Sequence, residues 1–351
     1  MDLAGLAARA EGRAGLPIRA RDIERILAAL LAAEDIWRIV ELAGVPVLAV
    51  CAGLECLAEA GWVEMAGSAV RLTPAGEAGC ARLRLAPART LACPRCGGTG
   101  LELGLLREIE TEFHRLAAGR PDASQEFDQG YVTEETTIAR IAALWAKGDL
   151  AGKDLLVLGD DDLVSLAAAV TRLPRRVVVL DADPRITSFI AGVAERESLA
   201  VEVVPHDLRA PLPPQLERAF DTFACDPTES LAGFLLFAGR GLSALRGPGC
   251  AGYLGLTHAE ASLAKWRAIQ EALLGWGAVI TDLRDGFHAY VNWPYVETMR
   301  AWERLPVRRV PGGLEPWYRS ALLRIELVTE AEVDVGPVEG DIFVDDEAAT
   351  T

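Results

Sequence analysis

At 351 residues, 51% of them hydrophobic, and with a formal charge of −16, the chain has the length for two domains and the composition of a globular protein. No apolar run reaches the ~18–20 residues a bilayer crossing needs, and the acid excess disfavours phosphate backbones, which are bound by clustered Lys and Arg. The opening MDLAGLAARAEGRAG has no apolar leader segment, and seven scattered cysteines read as reduced thiols, so the expected location is the cytoplasm.

Arg21 to Leu27 opens a helix with apolar residues at i, i+3 and i+4, and Glu34 to Val40 continues the period. Pro46 to Ala60 makes another helix, ended by Gly61 at a C-cap. Residues 61–65 and 69–73 read as two strands around a Gly67-Ser68 turn. Helices followed by such a hairpin suggest a winged-helix-like domain over 1–120, but with few basic residues on its third helix it suits dimerisation or a lid, not DNA reading. Cys93-Pro94-Arg95-Cys96 is half of a four-ligand zinc knuckle. With only Cys80 and His114 nearby, no metal is expected there. Residues 103–150 are helical and Glu-rich, with a distinct stretch from Phe127 to Thr133.

Beyond this the rhythm changes. Apolar strands at 155–158, 177–180, 201–204, 220–225, 253–256, 278–281 and 322–327 alternate with helices, which predicts a parallel, doubly wound sheet over 121–335. Residues 336–351 are acidic and read as a flexible tail.

Ligands of such sheets lie beyond the carboxyl ends of the strands. Here each end carries acid: Gly159-Asp160-Asp161-Asp162 after the first strand, Asp181 and Asp183 after the second, Asp207 after the third, Asp226-Pro227-Thr228-Glu229 after the fourth. A dinucleotide loop needs glycines whose N–H groups reach a pyrophosphate, and three aspartates there set negative against negative. Ordinary S-adenosylmethionine has a carboxylate that this loop also repels. Decarboxylated S-adenosylmethionine has none, and its sulfonium and ammonium match the acid. Asp181 is placed for ribose hydroxyls and Asp207 for the adenine amino group, although either aspartate is also a good helix cap. The aromatic run Asp285 to Tyr295 suits alkylammonium groups through cation–π contact, while core packing accounts equally well for Phe287 and Trp293. His288 reads as a satisfied polar residue.

Several of these pieces together resemble the N4-bis(aminopropyl)spermidine synthase family, the branched-chain polyamine synthases of thermophilic archaea and bacteria. They are Tyr131-Val132-Thr133 with Glu135-Thr136-Thr137, Gly159-Asp160-Asp161-Asp162, Asp226-Pro227-Thr228-Glu229, Lys265-Trp266-Arg267, Tyr290-Val291-Asn292-Trp293 and the acidic end Asp345-Asp346-Glu347. The motif at 226–229 departs from the family's usual DPPE at Thr228. The resemblance implies a Rossmann-like domain of the S-adenosylmethionine-methyltransferase type. It implies transfer of aminopropyl groups from decarboxylated S-adenosylmethionine, as co-substrate and with no cofactor, to the secondary amine of spermidine.

On this reading Gly159, Asp181, Asp183 and Asp207 hold the donor, and Tyr131, Asp226, Glu229, Tyr290 and Trp293 hold the acceptor. Asp160, Asp161 and Asp162 are the catalytic loop, with Asp162 or Asp160 foremost as base. Partners are polyamines and the adenosyl donor, with no nucleic acid and no membrane, and a homodimer is expected. The rivals are a methyltransferase acting on an amine or a nucleic-acid base, and a winged-helix regulator that senses polyamines.

Overall fold

The computed structural model describes residues 2–291, 293–312, 316–334 and 336–351; Asn292 of the aromatic run lies outside them. Four helices, α1 (Leu3–Ala14), α2 (Ala20–Leu30), α3 (Ile36–Ala43) and α4 (Val47–Glu59), precede the hairpin of β1 (Val63–Ala66) and β2 (Ala69–Leu72) and the helix α5 (Pro74–Arg82). The caps explain where these elements stop and start. Asp35 accepts the Arg38 N–H at the start of α3, and Gly44, at φ 58°, ends it in the left-handed conformation. α1 is absent from the sequence reading because its buried face is Leu6, Ala7, Ala10 and Ala14, too small to mark a period. α5 packs against Trp62 so closely that a Cβ on Gly79 would sit 1.9 Å from the indole.

After the knuckle loop come α6 (Arg107–Ala117) and α7 (Glu134–Ala146), the latter capped by Thr133. Then follow β3 (Asp154–Leu158), α8 (Val164–Val170), β4 (Arg176–Asp181), α9 (Pro184–Glu197), β5 (Val201–Pro205), β6 (Thr222–Cys225), α10 (Leu231–Ala244), β7 (Ala251–Leu256), α11 (Leu263–Gly275), β8 (Ala278–Ala289) and β9 (Arg319–Leu327). They build one seven-stranded sheet in the order β5-β4-β3-β6-β7-β9-β8. β3 to β7 pair in parallel, whereas β9 runs antiparallel to both β7 and β8. The expected all-parallel sheet is therefore a mixed one. An apolar run marks a buried strand but carries no direction, so the strand expected at 322–327 is present as β9 while its antiparallel sense is not legible from the pattern.

β8 is also far longer than the four residues its apolar start suggests. Its middle alternates half-buried and exposed side chains, and its pairing with β9 shifts register between Ile280 and Asp282 and again between Arg284 and His288, with Asp285 to Ala289 still inside the strand.

The acidic tail packs on the fold. It forms no regular element, yet Ile342, Ala348, Ala349 and Thr350 are buried. The run of acids reads as solvated only while Lys265 and Ser262, which hold Asp345 and Glu347, stay unplaced. Among the described residues no single helix is long and apolar enough to cross a membrane.

Candidate active site

The strand order reverses between β3 and β6, and the acidic loops converge beyond that switch point. Gly159, at φ 67°, turns the chain out of β3, and Leu163, at φ 57°, turns it into α8. Between them the three aspartates go three ways. Asp160 is 1% exposed and accepts the Ser165 N–H at 3.2 Å, bracing the start of α8. Asp162 accepts the Val132 N–H at 2.7 Å and is ion-paired with Arg140. Asp161 alone faces the cleft, and among the described residues its carboxylate has no hydrogen-bond donor. Burial, then the charges of Asp162, Asp181 and Asp226, hold its carboxyl well above the ordinary range.

Arg140, like Asp128 and Tyr318 on the cleft, is a site residue that the sequence reading missed. It lies on the buried face of α7 and reaches Asp162 with one Nη and Asp226 with the other, at 2.5 Å from the latter. A fully charged residue inside Thr136-Thr137-Ile138-Ala139-Arg140-Ile141 was the available signal. Burial opposes its charge, but Asp162 and Asp226 hold it protonated.

The Tyr290 hydroxyl donates to Asp226 at 2.7 Å. Gly255, on the neighbouring strand, has no room for a side chain, since a Cβ there would lie 1.8 Å from Asp226 Oδ1. Asp226 is thus fixed on three sides, and only its remaining face meets the cleft.

That cleft is lined by four carboxylates, Asp128, Asp161, Asp226 and Glu229, and four aromatic rings, Tyr290, Trp293, Tyr295 and Tyr318. Tyr290 and Trp293 both meet Tyr318 edge-on, with centroids 5.0 and 5.3 Å away. Burial pushes Asp128 up to about 7, and burial together with Glu260, Asp128 and Asp226 lifts Glu229 well above its ordinary value. Acids that raise one another in an aromatic enclosure form a site that a multiply charged cation relieves.

The residues expected to hold a donor do not all meet. Asp181 accepts the N–H groups of Asp160 at 2.8 Å and Asp183 at 2.7 Å, joining it to the catalytic loop. Asp183 is fully buried and caps α9, bound by Arg185 and by Gln129 at 2.9 Å. Although burial opposes its charge, those donors keep its carboxyl low, and no side is left for a ligand. Asp207 is exposed and paired with Arg209 at 2.7 Å, away from the cleft. Tyr131 lies under the guanidinium of Arg120, 3.5 Å from its centroid, and its backbone joins the β8 extension. Each of these three was placed by its position after a strand or inside a motif. A neighbouring arginine or glutamine claims the two aspartates, a competition visible only in three dimensions.

His288 bonds Ser320 at 2.7 Å, and burial then Arg140 hold it well below its usual range.

The chain's end closes one wall. Glu260, 1% exposed, accepts from the N–H groups of Ala349 and Thr350 and from the Tyr318 hydroxyl at 2.9 Å. Thr350 lines the cleft, and the Thr351 hydroxyl reaches Asp128. Lys265 Nζ donates to Glu229 O at 2.9 Å and pairs with Asp345. Glu260→Ala is expected to free the last residues, so that limited proteolysis followed by intact-mass measurement finds the tail clipped in the variant and protected in the parent.

Residues 108–351 match the family model described as the branched-chain polyamine synthase A C-terminal domain. The N(4)-bis(aminopropyl)spermidine synthase of Thermus thermophilus is 52% identical over 96% of this chain and 95% of its own length. That of Thermococcus kodakarensis is 40% identical over 98% of each. The crystal structure of the Thermus thermophilus branched-chain polyamine synthase in complex with N4-aminopropylspermidine and 5'-methylthioadenosine superposes with a TM-score of 0.92 at 49% identity, covering 99% of this chain and 98% of that one. A mutein of the same enzyme, with the same two molecules, gives 0.93. With identity spanning nearly the whole length, and with the acidic loop and aromatic cleft in place, the chain belongs to the branched-chain polyamine synthase family.

Proposed function

We propose that this chain transfers aminopropyl groups from decarboxylated S-adenosylmethionine to the secondary amine of spermidine. The first transfer gives N4-aminopropylspermidine, the second N4-bis(aminopropyl)spermidine, and each releases methylthioadenosine. The observation that carries the reading is the cleft in which Asp128, Asp161, Asp226 and Glu229 face four aromatic rings.

In each round the acceptor nitrogen arrives protonated and must lose one proton before its lone pair can attack. It then bonds the methylene carbon next to sulfur, the C–S bond breaks, and the sulfonium takes the electron pair to become a neutral thioether. Asp161 is the base, because it alone of the loop lines the cleft and no donor among the described residues occupies its carboxylate. Its raised pKa moves it toward the working pH. Asp226 and Glu229 position the flanking ammonium groups. The quaternary product has no N–H on its central nitrogen, so it is held by charge and by the faces of Tyr290 and Trp293. Gly159 and Asp181 hold the donor; Asp183 and Asp207 act through the backbone they cap.

Residues 1–120 serve as a winged-helix-like domain, whose core runs without a break into Tyr290, Trp293 and Tyr318. It supports the aromatic wall and is not a nucleic-acid reader. The protein works in the cytoplasm as a homodimer.

The test is incubation with spermidine and either donor. Two successive additions of an aminopropyl mass, with methylthioadenosine released and no methyl gain from S-adenosylmethionine, are the expected result. A methyl gain would make the chain a methyltransferase, and no gain with either donor would make it a sensor.

A further inference from the structure

We infer that Cys93 and Cys96 form half of a zinc site that a second copy of this chain completes. The inference is independent of the proposed reaction. Cys93 to Gly100 reads CPRCGGTG, and the loop folds as a metal knuckle. The Cys96 N–H returns to Cys93 O at 3.3 Å, the Thr99 N–H to Cys96 O at 2.9 Å, and the Gly100 N–H points at Cys96 Sγ from 3.4 Å. Gly97, Gly98 and Gly100 sit at φ 55°, 96° and 70°, which keeps side chains out of the path of those amides. An N–H aimed at sulfur stabilises a thiolate, the form that binds metal.

The loop is also held in place. The Ala88 N–H donates to Ala28 O, and Arg284 donates to Thr99 O, both at 2.8 Å. A solvated turn needs no such bracing.

Two sulfurs leave a tetrahedral zinc site half empty, and this chain does not fill it. Cys80 is 1% exposed inside the N-terminal core, and His114 is bonded to Glu134 at 2.6 Å. Among the described residues no three His, Cys, Asp or Glu side chains gather to hold a metal.

A second observation points to protein as the missing partner. Leu91 and Leu105, which flank the knuckle, are 90% and 87% exposed, while no other large exposed hydrophobic side chain among the described residues exceeds 62%. Arg95 and Glu102 meet at 3.4 Å, which draws the two leucine-bearing arms to one knuckle. A twofold axis sets a patch against itself. One such axis through the knuckle therefore brings four thiolates together and covers all four leucines.

The test uses untagged, full-length protein purified without chelator. Expected are one zinc ion per two chains by elemental analysis and a dimer by light scattering. On exchange into cobalt, the ligand-field spectrum should be that of a four-sulfur site. Cys93→Ser/Cys96→Ser should lose the metal and keep aminopropyl transfer. Leu91→Ser/Leu105→Ser, which leaves the thiols intact, should lower the zinc retained in dilute protein. Absence of zinc, one zinc per chain on a monomer, or a Cys93–Cys96 disulfide in the isolated protein would each overturn the inference.

Discussion

Asp161→Asn is expected to lower kcat by about 10²–10⁴-fold, the range over which a positioned base contributes. The same change at Asp160 or Asp162 should act through the fold. Asp160→Asn, at a carboxyl that burial also raises, keeps an oxygen for the Ser165 N–H and should cost far less turnover than Asp161→Asn, whereas Asp162→Asn leaves Arg140 with one carboxylate instead of two and should lower the melting temperature along with the rate.

Asp161→Asn should do the opposite to stability. Its carboxyl is raised in the folded protein. The folded state therefore binds the proton more tightly than the unfolded chain does. Above the unfolded value, stability falls as pH rises toward the folded one. At neutral pH the charged form is thus a cost to folding, and the neutral amide removes it. Lower turnover with a higher melting temperature is the signature of a strained base. Equal losses of both would instead make Asp161 a structural residue. The parent enzyme should lose kcat/KM as pH falls, through a limb above the ordinary carboxylate range, and Asp161→Asn should lose that limb.

The run Gly159-Asp160-Asp161-Asp162 announces the loop, its place at a strand end and the sign of its ligand, because these follow from local pattern and the period of the sheet. It cannot rank the three aspartates, since the ranking is made by Ser165, Val132 and Arg140, and Val132 lies 30 residues from Asp162. The same separation hid the tail. Thr351 finds Asp128 across 223 residues, and Glu260 gathers the final residues across 89 and 90. The aromatic wall was visible as composition, but its division into Tyr290 and Trp293 on the cleft and Phe287 in the core follows from where β8 shifts register, between Arg284 and His288, and where it ends, at Ala289. Local regularity is legible; the allocation of one acid to a cap, another to an ion pair and a third to the ligand is not.

Arg140→Met is the variant expected to cost most stability. Arg140 is 6% exposed and links Asp162, on the loop after β3, to Asp226, after β6. Without it the buried Asp162 and the half-buried Asp226 lose their counter-ion, and breaking a buried pair costs about 3–5 kcal/mol. Methionine keeps much of the volume, so the loss is electrostatic rather than a cavity. Its sign with pH separates the two. Without the guanidinium that pulls it down, Asp226, which burial already holds up, rises further above its unfolded value. The penalty is then present at neutral pH and relieved as pH falls through the raised value. The gap in melting temperature between Arg140→Met and the parent should therefore narrow on going from neutral toward acidic buffer, whereas a packing defect keeps a constant gap. Arg140→Met/Asp162→Asn removes one of the stranded charges and should recover part of the loss at neutral pH. It should not recover activity, because Asp226 still lacks the guanidinium that turns its carboxylate toward the cleft. A double variant no more stable than Arg140→Met would mean that Arg140 acts through its packing, and that Asp226 is held by Tyr290 alone.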